Sequence, residues 1–146
     1  MISFKQFFVE KNILGLEENI YLDGVGLIKA KLDTGNGAYN VLHGEDIETD
    51  GKIVRFTTMN GYRIEKPLKT TVTINVGTGT ELQERPVCLF DCKIGGRAFP
   101  NIPFSIGNRA DNTHKVLIGK TFISDSLDAL IDVTLANVAD KQLTTD

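Results

Sequence analysis

In the stretch Leu27-Ile28-Lys29-Ala30-Lys31-Leu32-Asp33-Thr34-Gly35, the apolar residues Ile28, Ala30 and Leu32 fall on one face of a period-two strand, and Lys29 and Lys31 take the other. The strand runs into Asp-Thr-Gly. An acidic residue at the end of a buried strand is costly unless it is hydrogen-bonded; Thr34 and Gly35 supply a hydroxyl, a small residue and nearby backbone amides. Such surroundings suit a carboxylate held for chemistry. They also suit an Asx-type turn, because Asp and Gly are ordinary turn residues, so the tripeptide alone leaves both readings open.

Far downstream, Val116-Leu117-Ile118-Gly119-Lys120-Thr121-Phe122-Ile123 is an apolar strand broken by Gly and followed by residues suited to a short helix. An Asp-Thr-Gly turn paired with a later apolar-apolar-Gly segment resembles the retropepsin-like aspartic peptidases, in which the two segments cross to hold the catalytic loop. Further segments extend the match in order: Leu42-His43-Gly44, Val54-Arg55-Phe56-Thr57, Glu84-Arg85-Pro86-Val87, Ile94-Gly95-Gly96-Arg97 and Val116-Leu117-Ile118-Gly119-Lys120. That order is similar to a bacterial and phage branch usually labelled "putative ATP-dependent zinc protease". The resemblance spans roughly residues 20 to 138 and implies a retropepsin-like closed β-barrel.

A chain of 146 residues suits one domain with one core. The net charge of −3 and the scattered basic residues give no nucleic-acid or anionic-membrane footprint, so a peptide or protein partner is expected. Met1 to Glu10 lacks the long apolar core of a secretory signal, and no apolar run reaches membrane-spanning length, so the expected product is soluble and cytoplasmic. Cys88 and Cys92 share a face of one probable strand about 13 Å apart, too far for a disulfide, and read as buried free thiols.

Along the chain, residues 3 to 11 read as a short amphipathic helix with Ser3 as cap, Gln6 as its reciprocal partner and Phe4, Phe7 and Phe8 on one face. This opening also resembles the Phe-Lys-Gln-Phe-type leaders that route proteins into the heads of T-even-like tailed phages. That likeness implies a removable tag, a virion location and phage-particle partners. The expected organisation is a helical extension over 1–15, the retropepsin-like domain over 16–140 and a frayed tail over 141–146. Asp23-Gly24, Asn36-Gly37, Asn60-Gly61, Gly77-Thr78-Gly79 and Gly95-Gly96 punctuate strands expected at Tyr39–Leu42, Lys52–Thr58, Leu68–Val76 and Leu82–Lys93. Phe99–Ile106 reads as an edge or bent strand because Pro100 and Pro103 interrupt it. Gly107–His114 is loop-like, Lys120–Leu130 holds a short helix, and Leu130–Leu135 is a last strand. Many short strands with Gly-rich turns and one or two short helices make an all-β, barrel-like domain.

The resemblance implies catalysis by two carboxylates sharing one proton, because like charges so close cannot both ionise. The chain holds one Asp-Thr-Gly and no second, since Asp23-Gly24, Asp50-Gly51 and Asp132-Val133-Thr134 lack the motif, so a C2 homodimer pairing Asp33 with its twin is expected. Asp33, Thr34 and Gly35 are the expected catalytic residues. Asn36, Gly37, His43, Gly77, Thr78, Gly79, Ile118 and Gly119 are expected to meet substrate, with 77–79 favoured over Asn60-Gly61 as the flap tip. His43 and His114 are the only histidines, and no His-Glu-x-x-His, close Cys pair or Gly-x-x-x-x-Gly-Lys-Ser/Thr loop is present, so neither metal nor other cofactor is expected. The family follows Asp-Thr-Gly with Ala and small hydroxyl residues, whereas this chain has Asn36-Gly37-Ala38-Tyr39-Asn40. That departure leaves open a non-catalytic structural or adaptor module of the same fold.

Overall fold

A computed structural model describes residues 11–37, 39–76 and 81–143. Eleven strands dominate them: β1 (Asn12–Leu22), β2 (Gly26–Asp33), β3 (Asn40–His43), β4 (Glu45–Thr49), β5 (Ile53–Thr57), β6 (Arg63–Pro67), β7 (Thr70–Val76), β8 (Glu81–Ile94), β9 (Arg97–Gly107), β10 (Val116–Gly119) and β11 (Ala129–Ala136). The helical pieces are a π-helical turn at Phe122–Ser126 and a short helix α1 (Ala139–Gln142).

The main sheet runs β11-β1-β2-β10-β3-β9-β8-β7, and a further pairing of β1 with β8 closes β1, β2, β10, β3, β9 and β8 into a barrel-like ring. Closure removes exposed edges from the ring, leaving β7 and β11 as extensions. β1 makes this possible by dividing its length. Its first half pairs in parallel with β11, while Ile20–Leu22 pair with Cys92–Ile94 of β8.

Period-two patterning fills the barrel. Ile28, Ala30 and Leu32 point inward from β2 beside Ile20 and Leu22 of β1, Ile106 of β9 and Ile118 of β10, all almost wholly buried. Phe90 and Phe104 meet edge to face at 5.6 Å between ring centroids. Each such side chain contributes about 1.5–3 kcal/mol of burial. The three-stranded sheet β4-β5-β6 covers part of this core with Val54 and Phe56. A Cβ at Gly44 would come within 2.8 Å of the Phe56 ring and 2.5 Å of Ile106, so only glycine lets β5 pack this closely. Lys66 of β6 fixes the layers, donating to Asp23 Oδ2 (3.1 Å) and Leu89 O (3.0 Å) with its ammonium 4.2 Å from the Phe90 ring centroid.

Several expectations need correction. Asn12–Gly15, assigned to the helical extension, belong to β1, because Leu14 is wholly buried and Asn12–Gly15 pair with Ala129–Asp132. Of the helix expected over residues 3 to 11, residues 3 to 10 lie outside the described residues and Lys11 is not helical. The tail is not frayed through 143: Leu143 is fully buried, its carbonyl accepts Gly96 N (3.2 Å), and α1 packs where Gly95 has φ +61°. β9 is flanked by β8 and β3 rather than lying at an edge, yet β3 pairs only with Phe104–Gly107, so the proline-bearing half is bonded on one side. Asn101 takes φ +55° there and the register slips between Phe90 and Cys92. β4 was not anticipated, having no apolar face. Cys88 and Cys92 are buried free thiols, as expected, and burial pushes both up to about 12. Among the described residues no helix is long and apolar enough to cross a membrane.

Candidate active site

β2 delivers Asp33 to the outer face of the ring. Its inward neighbours Ile28, Ala30 and Leu32 set the phase, so Lys29, Lys31 and Asp33 look out, and Asp33 is half-buried. The chain then turns sharply: Asp33 Oδ1 accepts Gly35 N (3.0 Å) and Asp33 O accepts Asn36 N (3.1 Å). This is an Asx-type turn, and it orients the carboxylate; the two readings open in the sequence coexist here. Thr34 and Gly35 are exposed at its tip.

β10 runs parallel to β2 with Gly119 opposite Asp33. A Cβ on Gly119 would sit 3.0 Å from Gly37 O and 3.4 Å from Asn36 O and Nδ2, so the absence of a side chain lets the turn lie against β10. Lys120 N donates to Asn36 O (3.0 Å), and Asn36 Nδ2 donates to Tyr39 O (3.0 Å). The structure therefore gathers Asp33, Thr34, Gly35, Asn36, Gly37 and Gly119.

Two expected substrate contacts are elsewhere. Ile118 is fully buried in the barrel, because strand alternation turns it inward when Gly119 faces out. His43 is 3% exposed and works on structure: its Nδ1 accepts Arg109 N (2.8 Å), leaving Nε2 to face Glu45 Oε1 at 3.3 Å. Gly77, Thr78 and Gly79 lie outside the described residues. The competing tip is tied down far away. Asn60 Nδ2 donates to Val25 O (2.8 Å) at the other end of β2, roughly 25 Å of strand from Asp33.

Sequence reasoning missed Asn40 and Arg109. Asn40, 4% exposed, spends its side-chain amide on β10 and β9. Arg109 sits in a loop organised by its own backbone: its Nε donates to His114 O (2.9 Å), and Lys115 Nζ donates to the carbonyls of Arg109 (2.9 Å), Ala110 (2.8 Å) and Asn112 (2.6 Å). Burial pulls the Arg109 guanidinium below its ordinary value, opposed by the Asp33 carboxylate, so a partly desolvated cation stands in the field of Asp33. Arg85 is lowered by burial and then by Arg109, and its guanidinium lies over Gly107, where a Cβ would meet Cζ at 2.7 Å. Arg85 lines a cleft of ≈ 350 Å³ with Ile47, Thr49, Thr71 and Ile106. Arg109 lies in the polar loop between β9 and β10, which carries no periodic signal, so it was not visible in the pattern of the chain. Among the described residues no three His, Cys, Asp or Glu side chains gather as a metal-binding group.

The crystal structure of Lpg0085, a protein of unknown function (DUF785) from Legionella pneumophila subsp. pneumophila str. Philadelphia 1, is similar, with 27% identity over 88% of this chain and 98% of that one and a TM-score of 0.69. No curated protein matches. The family model described as retropepsin-like aspartic endopeptidase RimB matches residues 13–142, from the start of β1 to the end of α1. That match covers most of the chain, and the chain belongs to the RimB-like family of retropepsin-like aspartic endopeptidases.

Proposed function

We propose that this protein is an aspartic endopeptidase that acts as a homodimer, with Asp33 of each subunit activating one water between them. The carrying observation is the outward Asp33 carboxylate, held by a hydrogen-bonded turn beside Gly119 of β10. One carboxyl, protonated, polarises the scissile carbonyl while its ionised twin takes the proton of the attacking water. Gly35 and the exposed Thr34 at the turn tip leave room for a twin turn to approach. Support for self-association comes from β11, whose outer edge is unpaired among the described residues and displays Leu130, Val133 and Leu135 at 53%, 68% and 37% exposure. A long apolar edge strand calls for a covering, and a second copy supplies a self-complementary one.

Digestion of a peptide library at mildly acidic pH by wild type and Asp33→Asn tests this. Loss of cleavage with an unchanged melting curve is the expected result, because the substitution keeps shape and removes the ionisable group. Equal turnover by the two proteins would remove the aspartic mechanism, and activity abolished only by a chelator would replace it with a metal-dependent one. A monomer that cleaves nothing would instead fit the structural or adaptor module suggested by the altered Asn36–Asn40 turn, with phage-particle proteins as the partners to test.

A further inference from the structure

The backbone ladder between β3 and β10 stops one rung short of the candidate site. Its last pair is Val41 with Leu117, after which the chain leaves β10 to form the turn behind Asp33. The next outward N–H of β10 belongs to Gly119, and it is buried. Asn40 completes the rung with its side chain: Oδ1 accepts Gly119 N at 2.8 Å. The same amide is held from the other side, because Nδ2 donates to Pro103 O (3.3 Å), while the Asn40 backbone carbonyl accepts Ser105 Oγ (3.4 Å). One residue further, Lys120 N finds Asn36 O at 3.0 Å. The N–H of the last residue of β10 and the next N–H after it are thus taken by the two asparagines that bracket the turn, and Gly119 stands opposite Asp33 on its other edge.

We propose that Asn40 is a positioning residue for the Asp33 carboxylate, its side-chain amide acting as a bracket between β9 and Gly119 that fixes where the Asp33 turn sits on β10. This rests on the reading of Asp33 as catalytic. An ordinary buried asparagine would only satisfy its own hydrogen bonds. Here the bonded N–H is on the residue whose missing Cβ admits the turn, so displacement of Gly119 moves Gly37 and Asn36 with it. Both halves of the amide are used, acceptor toward β10 and donor toward β9, and the two can be removed separately. Asn40→Ala removes both. Asn40→Asp keeps an acceptor for Gly119; its carboxyl can donate to Pro103 O only while protonated.

The test measures kcat, KM and pH profile for wild type, Asn40→Ala and Asn40→Asp, with amide exchange at Gly119 and Lys120 in each. Asn40→Ala should lower kcat about 100-fold, as expected for a reacting group displaced by about 1 Å, with KM changed less than about twofold. Its Gly119 amide should exchange faster. Asn40→Asp should approach wild-type kcat at acidic pH and fall away as pH rises and the introduced carboxyl ionises, a profile that loss of packing does not produce. An Asn40→Ala protein that melts cooperatively with unchanged kcat, or a Gly119 amide exchanging as in wild type, overturns the proposal. If Asn40→Ala does not fold, the pH profile and amide exchange of Asn40→Asp decide. If wild type cleaves nothing, or Asp33→Asn cleaves equally, the catalytic reading fails by itself; Gly119 exchange and the Asp33 carboxyl carbon resonance then still show whether Asn40 holds the turn, and no change in either overturns it.

Discussion

Replacing Glu18 by Ala should loosen the C-terminal segment more than any surface substitution. Glu18 is 1% exposed on the inward phase of β1, between Leu14 and Ile20, where a carboxylate is costly unless fully bonded. Its Oε2 accepts Gly15 N (2.8 Å) and Val138 N (3.2 Å), and its Oε1 accepts Ala139 N (2.9 Å). Hydrogen bonds to a charged group contribute roughly 1.5–3 kcal/mol each. Counting the two short buried bonds, discounting the longer one to Val138, and subtracting for the relieved desolvation of the carboxylate leaves a loss of about 3 kcal/mol. Against a total stability of roughly 5–15 kcal/mol that is a large share, equivalent to a fall in Tm of roughly 6–12 °C at this size. Glu18→Gln keeps one oxygen and should lose about half as much. Urea unfolding at fixed protein concentration measures the loss, and amide exchange at Val138 and Ala139 locates it. A loss below about 0.5 kcal/mol for Glu18→Ala, the range of an ordinary surface change, would refute the view that this carboxylate anchors α1.

Gly119→Ala should fold with a loss of about 1–3 kcal/mol but lose most of the proposed peptidase activity, since its Cβ would lie 3.0 Å from Gly37 O; cleavage equal to wild type would show that the turn is free to move. The Glu17 carboxyl is held below its ordinary 4.5, first by the hydrogen bond from His114 (2.5 Å). A depressed acid contributes stability that is present above its unfolded value and lost as pH falls through the folded one. The Glu17 contribution should therefore fade on acidification below about pH 4.5, and His114→Ala should return Glu17 toward 4.5 in an NMR titration. Cys88 and Cys92, pushed up to about 12 by burial, should resist a thiol reagent at pH 8 in the native state and react fully once unfolded. Lys66→Met should cost about 1–3 kcal/mol, because Leu89 O and Asp23 lose a buried donor; an unchanged urea midpoint would mean that β6 is held without it.

The parts of the fold legible in the sequence are those with local causes. Ile28, Ala30 and Leu32 set the phase that turns Asp33 outward, and Gly95-Gly96 and Asn60-Gly61 mark hairpins found where glycine takes positive φ, at Gly95 and Gly61. What was illegible depends on partners far away in the chain. Glu18 interrupts an apolar phase and looks like a solvated charge, until Val138 and Ala139 arrive from the other end of the chain. β4 exists through its ladder with β5 and has no apolar face to announce it. Pro100 and Pro103 correctly forbade two-sided pairing, but only for their half of β9. Around the candidate site, Asp33 and Gly119 lie side by side as their two motifs imply, whereas Ile118, next to Gly119, turns into the core and His43, in the separate Leu42-His43-Gly44 segment, bonds Arg109. Asn40 acts through a ladder gap, which no periodicity reveals.

The threefold partnership of β1 also has a consequence for how the chain comes off the ribosome. β1 and β2 can form a hairpin once residue 33 is out, but Asn12–Gly15 wait for Ala129–Asp132, and Glu18 waits for Ala139. At synthesis rates of about 5–20 residues per second that interval is roughly 5–20 s, long compared with the microseconds in which a hairpin forms. Throughout it, β1 carries an open edge and, in Glu18, a carboxylate still without its Val138 and Ala139 donors. A nascent chain stalled before Val138 thus presents an unfinished β1, and the earliest of the described strands waits for the end of the chain to be completed.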